Sequence, residues 1–301
     1  MGKKYSKSWM VMCAIFCMIT MFGCSNQIKK HENSNNYLET KSDGFWINQY
    51  IPIDKKQIYT IENTENGLYR FCYYEDMQPV REKITEDTYE GIYYDIGRKV
   101  LYSYNREKKQ LEVLNLKFEI IDVLVPNLQL FEIKNMIGIG TDIYALIVPE
   151  NPFESEIIGS STGEGGYLDF GEQLYVINSE SGEMRRIEID NPICITQDEE
   201  GLLIYCYQQG DYKLIRYIIK NGEIEVLQTM KNMGYLFAMV YKEHCLYYTG
   251  SLYSGLWKYD LLMKENVCLN EKAIILKDAD FHVLNEKIYM LDHLGGKIYQ
   301  Y

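Results

Sequence analysis

One short pattern recurs along this chain, and its recurrence restricts the fold more than any other feature of the 301 residues. Each copy joins an apolar residue and Tyr to a turn and a second apolar run, as in Leu246-Tyr247 with Leu256-Trp257 and Ile288-Tyr289 with Ile298-Tyr299. Such runs, rich in Tyr, Ile and Val and about ten residues apart around Gly, read as antiparallel hairpins because these side chains suit a pleated, half-buried surface. Four further copies are Ile58-Tyr59 with Leu68-Tyr69, Ile92-Tyr93 with Leu101-Tyr102, Ile143-Tyr144 with Leu174-Tyr175, and Ile204-Tyr205 with Ile215-Arg216. A lone hairpin cannot bury both faces, so six copies imply units that stack on one another.

The last copies recur about every 42 residues, and a period of roughly 40–45 residues holding several strands marks propeller blades. The fifth unit shows four strands, Tyr235–Tyr241, Cys245–Thr249, Leu256–Leu261 and Val267–Asn270. The chain therefore reads as all-β: a six-bladed β-propeller with four-stranded antiparallel blades. The third copy is stretched by an insertion, Pro149–Phe170, and a wide gap between the second and third copies leaves room for a seventh, degenerate blade. The last blade stops at its third strand, so an N-terminal strand is expected to close the ring and cover the open edge. Gly44–Ile51, with Phe45 and Trp46, is the expected closing strand. The rival explanation is that the chain is a truncated form of a longer protein with a solute-binding domain.

The first residues have a different character. Lys3, Lys4 and Lys7 precede an apolar run, Met10–Phe22, which is short of the roughly 18–20 residues a permanent spanning helix needs. Met21-Phe22-Gly23-Cys24 resembles the lipobox of bacterial lipoproteins, which implies a signal peptide over 1–23 and a lipid on Cys24 at the extracytoplasmic face of the cell membrane. Residues 24–43, with Ser25, Asn26 and Asn33–Asn36, read as a flexible tether, and 44–301 as the propeller. Leu246-Tyr247-Tyr248-Thr249 and Ile288-Tyr289-Met290-Leu291-Asp292 resemble the YWTD repeats of low-density-lipoprotein-receptor-type propellers. They are also similar to propeller lipoproteins of low-GC Gram-positive bacteria and, more loosely, to TolB propellers.

Charge narrows the partners. With 31 basic and 43 acidic residues the chain carries a net charge of −12, and loss of the three leader lysines makes it more acidic still. That excludes nucleic acid as a partner and predicts that the lipid alone holds the protein to the membrane. Beyond the leader and Cys24 lie Cys72, Cys194, Cys206, Cys245 and Cys268, an odd number without the paired spacing of a zinc site. Cys194 and Cys206 flank a predicted turn and are candidates for a disulfide.

Function is expected on the face that carries the turns between second and third strands. By this reading that face holds Glu62–Gly67, Ile96–Lys99, the insertion, Gln208–Tyr212, Gly250–Gly255 and Asp292–Gly296. The ligand-binding candidates are Glu154, Glu164 and Tyr167 in the insertion, Asp211, and Tyr253. Asp278, Asp280 and His282 alternate, share one strand face and form a weak candidate metal site. No nucleophile elbow and no phosphate-cradling loop is present, and no cofactor is expected. The expectation is a non-catalytic binding or scaffolding module for a protein, peptide or glycan. Alternatives are a polysaccharide hydrolase or lyase, whose carboxylates should converge at one channel mouth, or an accessory domain of a solute-binding transporter component.

Overall fold

A computed structural model describes the side chains of residues 87, 89–149, 171–230, 233–251, 255–271, 281–283 and 287–290. It also describes the backbone of strands at 37–39, 47–52, 58–62, 68–72, 80–85, 157–158, 167–168, 284, 291–292 and 297–300. Every regular element among these residues is a β-strand. After β1 (Tyr37–Glu39), blade 1 is β2 (Ile47–Pro52), β3 (Ile58–Glu62), β4 (Leu68–Cys72) and β5 (Val80–Thr85). Blade 2 is β6 (Tyr89–Asp95), β7 (Val100–Asn105), β8 (Gln110–Leu114) and β9 (Ile120–Val125).

Blade 3 pairs β10 (Leu130–Ile139) and β11 (Asp142–Pro149) with β14 (Gln173–Asn178) and β15 (Met184–Ile187). The insertion between them holds a ribbon of β12 (Ile157–Ile158) and β13 (Tyr167–Leu168). Blade 4 is β16 (Pro192–Gln197), β17 (Leu202–Gln208), β18 (Asp211–Ile218) and β19 (Glu223–Thr229); blade 5 is β20 (Leu236–Lys242), β21 (Cys245–Gly250), β22 (Leu256–Asp260) and β23 (Glu265–Asn270). Blade 6 is β24 (Phe281–Leu284), β25 (Lys287–Asp292) and β26 (Lys297–Gln300), completed by β1.

The ring is closed. The first strand of each blade, β2, β6, β10, β16, β20 and β24, packs against the first strand of the next, and β24 returns to β2. Six such strands line a central channel, so the seventh blade is not needed. Its apparent room came from Ile92-Tyr93, which belongs to the first strand of blade 2 and not the second. With Tyr102 taken instead, Tyr59, Tyr102, Tyr144, Tyr205, Tyr247 and Tyr289 occupy second strands about 42 residues apart, except across the insertion.

The closing strand also differs from the expected one. β1 pairs antiparallel with β26 through Tyr37↔Tyr299, Leu38↔Ile298 and Glu39↔Lys297, whereas Ile47–Pro52, within the segment expected to close the ring, is the inner strand of blade 1. Phe45 and Trp46 drew attention because they are large and apolar. An outer strand has one neighbour and needs only a short alternating run, which Tyr37-Leu38-Glu39 supplies. Part of the segment expected as a tether is therefore strand.

Stacked blades explain why the second strands of blades 3 and 4 carry apolar side chains in both phases. On β17, Leu202, Ile204 and Cys206 pack toward blade 3, while Leu203 and Tyr205 pack toward blade 5. On β11, Ile143, Ala145 and Ile147 face blade 2, and Tyr144 and Leu146 face blade 4. Successive side chains point to opposite faces, so a strand buried on both sides has no polar phase. In blade 5, Trp257 is buried as expected of the repeat, whereas Tyr247 is only half-buried and its neighbour Tyr248 is fully enclosed.

The same alternation separates the two cysteines. Cys194 lies against Leu236 in the interface with blade 5, and Cys206 lies in the interface with blade 3, so no disulfide joins them. Burial, opposed by Lys213 and reinforced by Asp190, pushes the Cys206 thiol up to about 12. The thiolate is thus disfavoured in the folded state. We expect Cys206 to resist maleimide at mildly alkaline pH until the protein is unfolded in urea; rapid labelling under native conditions would contradict its burial.

Candidate functional site

All first strands run toward the same face of the ring, here called the mouth face. Four of the five inner strands with described side chains, β6, β10, β16 and β20, enter through a register shift against the second strand, at Glu90/Tyr93, Leu130/Glu132, Pro192/Cys194 and Leu236/Ala238. Such bulges bend a strand and re-aim its side chains. In β6 the bend uses Gly91, whose φ of +61° lies in the left-handed region and whose added Cβ would fall 2.6 Å from Ile133 Cβ. The ends of these strands enclose a cavity of about 720 Å³ at the mouth, within the usual range for small-ligand sites.

Among the described residues, the walls come from five blades. Tyr93, Tyr94 and Asp95 of β6, Asn135 to Gly138 of β10, Ile195 to Gln197 of β16, Met239 to Lys242 of β20, and Phe281 to Val283 of β24 contribute. Tyr93 lies flat over Gly138, where an added Cβ would sit 2.2 Å from its hydroxyl oxygen, and it stacks on Tyr102 at 5.9 Å. Burial, aided by the charge of Asp95, pushes the Tyr93 phenol up to about 12, so it stays protonated and available as a donor. Burial followed by Glu199 likewise raises Tyr241.

Carboxylates ring the opening. Asp95, Asp198, Glu199 and Glu243 all stand at or just past the ends of first strands, and Lys242 is the cation among the lining residues. Asp198 is the most firmly held: Arg216 donates to it from Nε at 3.0 Å and from Nη2 at 2.7 Å, and the backbone N–H groups of Glu200 and Gly201 donate at 2.9 and 2.8 Å. The Thr196 hydroxyl accepts from the backbone N–H of Tyr241 at 3.1 Å, tying blade 4 to blade 5 at the rim. At the other end of the channel Lys134 donates to buried Glu172 at 2.5 Å and to the Tyr235 hydroxyl at 3.2 Å, a link from blade 3 across to blade 5.

The sequence-level candidates are dispersed. His282 is in β24 and lines the cavity, while Asp211 is exposed at the first position of β18 on the far face. Tyr167 lies in β13, with its side chain outside the described residues, as are Cys24, Glu154, Glu164, Tyr253, Asp278 and Asp280. Ile96–Lys99, expected beside Asp211, is instead the turn between the first and second strands of blade 2 and sits on the mouth face. Among the described residues no three His, Cys, Asp or Glu side chains gather to hold a metal ion. Asp95, Asp198 and Glu243 are not among the sequence candidates. The signal that marks them is an acid recurring at the end of the first strand, in phase with the blades.

No protein-family profile and no curated protein matches the sequence. Solved structures do. A putative gluconolactonase superposes with a TM-score of 0.60 at 11% identity, covering 89% of this chain and 91% of that one. Virginiamycin B lyase from Staphylococcus aureus, in a catalytically inactive form with quinupristin, gives 0.54 at 12% identity over 89% and 84%. The WD40 β-propeller domain of Doa1 gives 0.52 at 9% identity over 89% and 97%. Together with the closed ring of four-stranded blades, these likenesses define the chain as a β-propeller. At such identities they carry the fold alone, and they single out no one propeller family, YWTD repeats included. The expectation of a non-catalytic module is corrected by them: this shape is shared with proteins named as a lactonase and a lyase, so the fold gives no ground for denying catalysis.

Proposed function

We propose that the chain is an extracytoplasmic propeller, held to the cell membrane by a lipid on Cys24, that takes a small ligand such as a peptide or glycan fragment into the channel mouth. The observation that supports this reading is the cavity of about 720 Å³, walled by inner-strand residues that converge from around the ring. Its aromatic rings offer stacking area at low entropic cost, and its carboxylates accept hydroxyl or amine donors. A catalytic use of the same pocket is favoured by one feature, the convergence of Asp95, Asp198, Glu199 and Glu243 with His282 around a single opening.

Saturation-transfer NMR against oligosaccharides and short peptides tests the pocket. Binding should be lost in Tyr241→Ala and His282→Ala and kept in Asp211→Ala; the reverse pattern would place the ligand on the far face. Chromatography of ligands after incubation separates turnover from simple binding. Metabolic labelling with a fatty acid tests the anchor, and label that persists in Cys24→Ala would sink it.

A further inference from the structure

Two turns on the mouth face are built alike and end in exposed apolar side chains. In blade 2, Asp95 Oδ1 accepts from the backbone N–H of Arg98 at 3.0 Å, and Lys99 donates its N–H to the Asp95 carbonyl at 2.8 Å. In blade 5, Asp260 Oδ1 accepts from the N–H groups of Leu262 and Met263, both at 2.9 Å, and Lys264 donates to the Asp260 carbonyl at 2.8 Å. Both turns close through a left-handed lysine, with φ of 57° at Lys99 and 56° at Lys264. The turns are thus fixed, and what they project is not: Ile96 is 61% exposed, Leu262 71% and Met263 67%.

These three are the large exposed hydrophobic side chains that stand on turns among the described residues, and all lie on the mouth face. The corresponding far-face turn from Asn105 to Lys109, closed by the same left-handed lysine, carries Arg106, Glu107 and Lys108 instead. Blades 2 and 5 stand opposite each other in a ring of six, so the apolar tips form two feet on either side of the pocket.

The N-terminus reaches the ring from the same side. β24 runs toward the mouth, β25 away, β26 toward it, and β1, antiparallel to β26, away again. The chain therefore meets Tyr37 at the mouth face. Only 12 residues lie between Cys24 and Tyr37, a span of at most about 45 Å fully extended. We propose that the mouth face docks on the lipid bilayer, with Ile96, Leu262 and Met263 entering the headgroup region and Lys99 and Lys264 meeting lipid phosphates. The pocket then opens toward the membrane surface and takes its ligand from there.

This rests on the lipoprotein reading for the direction of the tether but not for the tips. The lipid holds the chain near the bilayer, and apolar tips beside cations add the contacts that fix which face of the ring lies on it. The overall negative charge, with Glu199, Glu200 and Glu243 near the mouth, opposes anionic lipid, so the apolar contacts set the affinity.

Vesicle flotation of the chain from Ser25 onward, without lipid, tests the tips on phosphatidylcholine with and without phosphatidylglycerol. Combined Ile96→Ser, Leu262→Ser and Met263→Ser should lower the bound fraction about tenfold, whereas Val226→Ser, at an exposed strand position, should leave it unchanged. Equal loss in both variants, or none in the triple, overturns the proposal. A second measurement holds the protein to vesicles by a histidine tag in place of residues 1–24, with nickel-chelating lipid and a dye at Lys99→Cys or Asp211→Cys. Energy transfer to a lipid-borne acceptor should be stronger from position 99, and equal or reversed transfer overturns the orientation. If Cys24 takes no fatty acid yet position 99 lies against the vesicle, the anchor fails and the docking face stands.

Discussion

Tyr205→Ala should cost about 4 kcal/mol of stability and Tyr205→Phe about 1 kcal/mol, the first through a large cavity and the second through one orphaned carbonyl. Tyr205 is fully buried on β17, in the interface between blades 4 and 5. Its ring stacks on Tyr212 with centroids 5.5 Å apart and planes 11° from parallel. Its hydroxyl donates to the Gly234 carbonyl at 2.7 Å, in the connection that leads into β20. The residue therefore binds one blade to the entrance of the next. Tyr104 does the same between blades 2 and 3, donating to the Leu128 carbonyl at 3.0 Å. Urea unfolding should show a lower midpoint with an unchanged slope if the ring unfolds as one unit. A broad or two-step transition in Tyr205→Ala would mean that blades 4 and 5 separate first, as in a repeat protein with weak interfaces. A loss below about 2 kcal/mol for Ala would show that the site collapses around the missing ring.

The second large effect concerns Asp198. Replacing it with Ala should cost about 3 kcal/mol, because Arg216 Nε and Nη2 lose the one carboxylate oxygen that accepts from both, and two turn N–H groups lose their acceptor. The Asp198 side chain is 2% exposed and that of Arg216 18%; Arg216 retains the outlying Glu200 at 2.5 Å and Glu225 at 3.1 Å. The diagnostic comparison is the double variant Asp198→Ala with Arg216→Met, which also removes the part-buried guanidinium that has lost its buried partner. It should be more stable than Asp198→Ala alone. If it is less stable, the cost lies in the turn and not in the ion pair. Either way the hairpin at the pocket rim should loosen, which hydrogen exchange of Glu200 and Gly201 would report.

The architecture was largely legible because the fold writes itself into the sequence once per blade. A strand buried on both faces has no solvent-facing phase, and Leu202-Leu203-Ile204-Tyr205-Cys206 leaves little else to conclude. Blade 2 was read one strand out of place because its bulged inner strand carries Ile92-Tyr93, which imitates a second strand. The closing strand was misplaced because a three-residue edge gives almost no signal. The pocket was harder to see for a different reason: Asp95, Asp198, Glu243 and His282 are far apart in the chain and meet only when the ring closes. His282 was picked out as a partner of Asp278 and Asp280, whereas its place in the structure is the cavity wall. Phase within the repeat, more than local motif, is the information that would have gathered these residues.

The pairing of β1 with β26 sets an order of events. The first strand of the ring to leave the ribosome finds its partner only after the last has been made, since Tyr37 meets Tyr299. Until then β26 presents an unpaired edge able to recruit strands from other chains. A contact of this sequence separation forms late and slowly compared with the hairpins inside each blade. A chain cut short before Lys297 keeps an open seam between its two ends, so the ring is the last feature of the fold to be completed.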